Sequence, residues 1–221
     1  LRVLFIVRTF SAKAKTLGFV FGTLSMLITL SILFLNISSL NKGSYDYQIE
    51  LDSPYDVSVS DKKENLNDYL KVIKEDYTIK DDFIYDVYQD YNAKYLKIFP
   101  VYEYKSDEKK YDAVIKLSDY NKLLELRGKD KITLKNNEYS VVAYFKIKND
   151  ENFNKINKIT LSNGIELNRK EIMTKNFFPR LSNTDYTIIA PDEAVRNLET
   201  NESNLVVNTV EKTKTELKEK I

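Results

Sequence analysis

The chain carries no histidine and no cysteine, so the usual zinc sites, cysteine nucleophiles and histidine bases are all ruled out. Acid–base or nucleophilic chemistry would have to rest on carboxylates, Lys, Tyr or Ser. The densest acidic group is Asp81, Asp82, Asp86 and Asp90. It has the charge to hold Ca²⁺ but lacks the EF-hand pattern with its central glycine. A solvated strand edge guarded by charge is the expected reading. The five glycines are too scattered for a Walker loop or a dinucleotide-binding turn. No catalytic group, metal site or cofactor site is therefore expected. Asn36-Ile37-Ser38 and Asn201-Glu202-Ser203 match the glycosylation pattern and are assigned no role.

The residues whose spacing does carry meaning lie near the front. Thr16 to Asn41, bounded by Lys15 and Lys42, run for 26 positions without a charged side chain. As a helix this stretch is about 39 Å long, more than the roughly 30 Å hydrocarbon core of a bilayer. A cleavable signal peptide is the competing reading. Its apolar region is shorter and ends in small residues of A-x-A type, whereas this stretch ends Asn36-Ile37-Ser38-Ser39-Leu40-Asn41. Within it Gly18, Gly22, Ser25, Thr29 and Asn36 fall at offsets of 4, 7, 11 and 18, all on one helical face. Gly18 to Gly22 is a G-x-x-x-G, and a stripe of small and polar residues lets a second helix approach closely. These five residues are the expected helix-packing face. Arg2, Arg8, Lys13 and Lys15 precede the span and no acid appears before Asp46, so the positive-inside rule puts the N-terminal flank in the cytoplasm.

Removing those four cations from the 34 Lys and Arg leaves 30, against 33 Asp and Glu. The part beyond the span thus carries about −3, without the basic stripe of a nucleic-acid binder. With no cysteine it has no disulfides, which fits a bacterial surface better than a small secreted animal domain. All 16 Tyr lie after residue 44, in alternating runs that suit strand surfaces rather than a ligand cage. The chain opens on Leu1 and reads as a slice of a longer polypeptide.

Along the chain, Val3, Val7, Phe10 and Ala14 suggest a short amphipathic helix over 1–15. Tyr55, Val57 and Val59 alternate as a strand. Asp61 and Glu64 read as an N-cap signature before a helix through Leu66, Leu70 and Ile73. Phe83 to Tyr104 suggests two strands about a turn near Asp90 to Ala93. Val114 to Leu117 is a strand, Ser118 a cap, Tyr120 to Arg127 a helix and Gly128 its stop. Ile132 to Leu134 and Tyr139 to Phe145 are expected to pair through Asn136-Asn137. Ile159 to Leu161 and Ile165 to Leu167 pair through Asn163-Gly164. Tyr186 to Ile189 runs into a helix begun at Pro191-Asp192-Glu193. Tyr111 to Arg127 and Asp185 to Leu198 look like two copies of one strand–cap–helix unit. Val210, Leu217 and Ile221 stripe a final helix.

The expected class is α+β: an N-terminal transmembrane helix followed by a mixed α/β domain with antiparallel hairpins and short helices. The expected divisions are a cytoplasmic flank over 1–15, the membrane helix over 16–41, an extracellular domain over 42–209 and an amphipathic helix over 210–221. This layout, with Lys13-Ala14-Lys15-Thr16-Leu17-Gly18 and the run Tyr111-Asp112-Ala113-Val114-Ile115-Lys116-Leu117-Ser118-Asp119-Tyr120-Asn121-Lys122-Leu123-Leu124, resembles the FtsX-like ABC transporter permease family. In particular it resembles the bacitracin-export type of Gram-positive bacteria.

The resemblance implies a non-catalytic permease subunit embedded in membrane lipid and coupled to a separate cytoplasmic ATPase, often alongside a sensor histidine kinase. Its extracellular domain would sense or handle an antimicrobial peptide or a lipid-linked cell-wall substrate. The other reading of the residues is a single-pass, membrane-anchored ligand-binding or adhesion protein without a transport role. A membrane-tethered hydrolase is disfavoured by the missing catalytic side chains.

Overall fold

The computed structural model describes residues 2–52, 54–98, 111–143, 145–174 and 186–211. One long helix is followed by a mixed sheet with short helices, the α+β class expected. The chain divides into two units, Leu1–Gln48 and Ile49–Ile221.

Helix α1 runs without interruption over Arg2–Asp52, about 77 Å at 1.5 Å per residue. The uncharged stretch is only its middle. The helix takes in residues 2–15 of the flank without a break and continues past Asn41 through Lys42, Gly43 and Ser44, because no proline or capping motif stops it before Pro54. Thr9, Thr23, Thr29 and Ser31 donate their hydroxyls to carbonyls one turn back, at 2.8–3.1 Å. Their polarity is thereby satisfied within the helix. The large apolar side chains are exposed, Phe10 at 75% and Leu30 at 36%. Among the described residues, Val3–Tyr45 is the one helical segment long and apolar enough to cross a membrane.

The second unit is built on eight strands: β1 Val57–Asp61, β2 Ile79–Asp90, β3 Asp112–Lys116, β4 Glu138–Ala143, β5 Lys158–Thr160, β6 Glu166–Met173, β7 Tyr186–Ala190 and β8 Glu199–Thr209. Their order across the sheet is β1-β8-β2-β3-β7-β4-β6-β5. Neighbours are antiparallel except the parallel pairs β3/β7 and β4/β6. The helices are α2 Lys63–Asp76, α3 Leu117–Leu126, α4 Phe145–Lys148, α5 Glu151–Asn154 and α6 Asp192–Val195.

Strand alternation assigns the core to two faces. On one, Ala113, Ile115, Val142, Ile189 and Val206 pack under Tyr120, Leu123 and Leu124 of α3. On the other, Val114, Val141, Ile188 and Ala190 pack with Phe153 of α5 and Ala194 and Val195 of α6. Leu205 and Val207, of the same parity on β8, meet Leu66 and Ile73 of α2. Tyr85, Tyr88, Tyr139 and Tyr186 lie on strands as expected but are buried, whereas Tyr95 sits in a turn and Tyr120 on α3. Tyr95, Tyr139, Tyr186 and Phe153 form an aromatic cluster with ring centroids 4.6–6.3 Å apart.

Five local expectations are corrected. The strand at 132–134 does not form, because both ladder sides of β4 are taken, by β7 and β6. Asn121 instead clamps Ile132, donating to its carbonyl at 2.9 Å and accepting its N–H at 2.8 Å. Asp61 is not the N-cap of α2, which is Lys62. Its carboxylate receives Lys62 N–H, Asn65 Nδ2 and Tyr69 OH at 2.6–3.1 Å. Ser118 lies inside the first turn of α3 rather than before it. Residues 91–98 are turns rather than a strand; the rest of the expected strand, over 99–104, lies outside the described residues. Val210 and Glu211 form a bend, and the remainder of the expected final helix, with Leu217 and Ile221, also lies outside them.

The Asn163-Gly164 hairpin forms, with Ile159 opposite Leu167 and Gly164 at φ +87°. Gly128, at φ +61°, closes α3: Gly128 N–H reaches Glu125 O and Lys129 N–H reaches Leu124 O, both at 2.9 Å. This is the Schellman arrangement of paired end carbonyls.

Candidate functional site

The five stripe residues all lie on α1, and a side chain added at Gly18 or Gly22 would meet open space. The Thr29 hydroxyl is turned onto Ser25 O at 2.9 Å, so what this face offers a partner is close backbone approach more than free hydrogen bonds.

In the second unit the two strand–helix copies lie side by side. β3 and β7 are parallel, with Val114 opposite Ile188 and Lys116 opposite Ala190, and their helices leave to opposite faces. Such a divergence opens a crevice beyond the strand ends, where open α/β sheets bind ligands. Here the chain fills that crevice itself: the Asp192 carboxylate accepts Ser118 N–H at 3.0 Å and caps α3 from the other copy.

Beside it, Asp86 accepts from Lys63 Nζ at 2.8 Å and Ser203 Oγ at 2.6 Å. Lys116 Nζ stands 5.0 Å over the Tyr88 ring. Burial pushes the Asp119 carboxyl up to about 6, against the pull of Lys116 and with the push of Asp192 and Asp86. These charges are largely matched among themselves.

The acidic group of β2 is thus not a guarded edge. β2 is paired on both sides, by β8 and β3. Asp90 stands directly opposite Asp112, and the two are 1% and 0% exposed. Asp112 Oδ1 accepts Tyr186 OH at 2.6 Å and Leu96 N–H at 2.9 Å, while Oδ2 accepts Tyr95 N–H at 2.9 Å. Asp90 Oδ1 accepts Ser162 N–H at 2.7 Å and Asn92 N–H at 3.3 Å. Burial drives the Asp112 carboxyl up to about 6, with Asp90 adding to the rise.

The two carboxylates fasten the 91–98 turns to the sheet and hold Ala93 in the left-handed region at φ +44°, a conformation that costs an L-residue about 1 kcal/mol. No motif announces this, since each partner of Asp112 but one is a backbone N–H supplied by another segment.

Among the described residues, two hollows border the sheet. One, of about 430 Å³, lies beside α3 and is lined by Tyr120, Leu124, Ile132 and Met173, with both charge signs at Lys129, Asp130, Lys148 and Glu171. The other, of about 530 Å³, lies between the 91–98 turns and the α5–β5 connection. Its lining is Lys94, Ile98, Asn152, Lys155, Ile156, Asn157 and Lys158.

No protein-family model matches the chain, and no curated protein matches it in sequence. Among solved structures it is similar to one named "Putative Lipoprotein from Bacillus anthracis". The TM-score is 0.46, with 8% identity over 73% of this chain and 87% of that one.

Proposed function

We propose that the second unit is an extracellular domain inserted between two membrane helices of an FtsX-like permease, with α1 the helix that leads into it. On this reading the domain senses or handles an antimicrobial peptide or a lipid-linked cell-wall substrate. ATP is hydrolysed by a separate cytoplasmic subunit, and this subunit is not catalytic. The stripe Gly18, Gly22, Ser25, Thr29 and Asn36 is the surface on which a further membrane helix packs.

The observation that carries the reading is where the chain enters and leaves the domain. β1 and β8 are antiparallel neighbours with Val57 opposite Val207. Thr209 N–H donates to Asp56 Oδ2 at 2.8 Å, and Glu211 accepts Thr78 N–H and Oγ1–H at 3.1 and 2.9 Å. A domain whose ends meet at one point can be inserted into another structure without splitting it. It also passes any relative motion of its two supports directly to the sheet. Ligand on the domain and nucleotide on the ATPase would then influence each other reciprocally.

The test is to replace 54–211 in the full-length protein by a short Gly/Ser linker, keeping every membrane helix. Loss of peptide resistance with the ATPase still assembled is the expected result. Undiminished resistance, or purification in detergent without any ATP-hydrolysing subunit, overturns the proposal; the second outcome favours the single-pass anchored binder.

A further inference from the structure

The larger hollow is lined by hydrogen-bond donors. Lys94 comes from one wall, Lys155 and Lys158 from the other, and among the described residues no carboxylate lines it. Lys158 is paired with Glu166 at 2.5 Å. Among the described residues, Lys94 and Lys155 have no carboxylate within ion-pair distance. Asn157 Oδ1 is occupied by Arg169 Nη2 at 2.8 Å, which leaves the Asn157 amide NH₂ as the group free to face a ligand. The lining therefore asks for an acceptor-rich, multiply charged partner. Ile98, 40% exposed, and Ile156 add an apolar patch.

Both walls are fixed from behind by groups outside the hollow. Asp112 holds Tyr95 and Leu96 next to Lys94. Arg169 holds Phe153 O and Asn154 O at 3.1 and 2.8 Å, and Asp150 caps α5 through Asn152 N–H and Phe153 N–H. Tyr139 OH donates to Ile156 O at 3.3 Å, under the floor. Walls held in this way bind without first having to be ordered, and the volume suits a small molecule. Lysine serves as a point-charge phosphate ligand.

We propose that this hollow binds a phosphate ester or diphosphate, the phosphoryl oxygens taken by Lys94, Lys155, Lys158 and Asn157 and the organic part lying against Ile98. The assignment rests on the hollow alone and stands whether or not the domain belongs to a permease.

The full chain in detergent is titrated calorimetrically with inorganic pyrophosphate at low salt. Saturable binding is expected, weakened about tenfold or more in Lys94→Gln/Lys155→Gln, regained in Lys94→Arg/Lys155→Arg, and unchanged in Lys122→Gln on the opposite face of the sheet. Absence of saturable binding overturns the site, and so does binding that the double glutamine variant leaves intact. The same titration with dihexanoyl phosphatidic acid below its micellar concentration separates the sources. Tighter binding than pyrophosphate through the same lysines identifies a lipid headgroup; weaker binding identifies a free phosphate.

Discussion

Asp112 is the side chain on which most of the local order depends, and it is buried as a carboxylate with three donors. Its carboxyl is raised to about 6, and burial raises Asp90 and Glu202 in the same direction. A raised carboxyl means the folded state holds the proton more tightly than the unfolded chain. Stability from that source is fully present below the ordinary carboxylate value of about 3.9 and is lost as pH climbs through about 6.

The opposite group acts lower on the scale. Hydrogen bonds from Tyr69 to Asp61, from Lys135 N–H to Glu138 and from Thr78 to Glu211 hold those carboxyls down, so their contribution is lost as pH falls below about 4. Together they place the stability maximum near pH 4 to 5. From there to pH 7, Asp112 alone accounts for about 2 kcal/mol. The urea midpoint should decline between pH 5 and 7; a midpoint that climbs through this window contradicts the assignment. Asp112→Asn should flatten the decline while costing about 1–3 kcal/mol at pH 5, because one of three donors loses its acceptor.

Among the elements, α1 shows how far pattern can be read. Its apolar stretch and small-residue face are written locally, at 3.6 residues per turn, and the structure keeps all five residues on one helix. If that face seats another helix, Gly22→Leu should displace it. Leu27→Ala, roughly half a turn away, should be tolerated. Co-purification of the full-length protein with the proposed ATPase subunit measures both, and equal recovery from the two variants would remove the stripe from consideration. The capping expectations at Asp61 and Ser118 illustrate the opposite case. Both sites have the right residue types, but α3 takes its cap from Asp192, 74 positions away, and that contact exists only once β3 and β7 are neighbours.

For the whole molecule, the decisive feature is that the domain closes on itself at β1 and β8. Antiparallel partners have Cα atoms about 4.5–5.5 Å apart, within the range a disulfide spans, and the chain has no cysteine to interfere. Val57→Cys with Val207→Cys should therefore oxidise to a single crosslink enclosing about 150 residues and raise stability by about 4–5 kcal/mol in the loop-entropy account. Failure to crosslink under oxidation would show that the two strands are not paired in solution.

What was legible in the residues was whatever repeats locally: the charge-free stretch, the Asn163-Gly164 hairpin, the Gly128 stop and the two strand–helix copies. Strand β8 was missed because Asn201 to Asn204 is polar on both parities and only Leu205, Val206 and Val207 look like sheet. Yet it pairs with β1 on one side and β2 on the other. The position of β2 inside the sheet, the burial of Asp90 and Asp112 and the gathering of three lysines around one hollow belong to the same class. Each depends on which segments become neighbours after the sheet is assembled. Side-chain periodicity is a property of a few consecutive residues, whereas strand order and burial are settled by contacts between segments up to 150 residues apart, which no local pattern encodes.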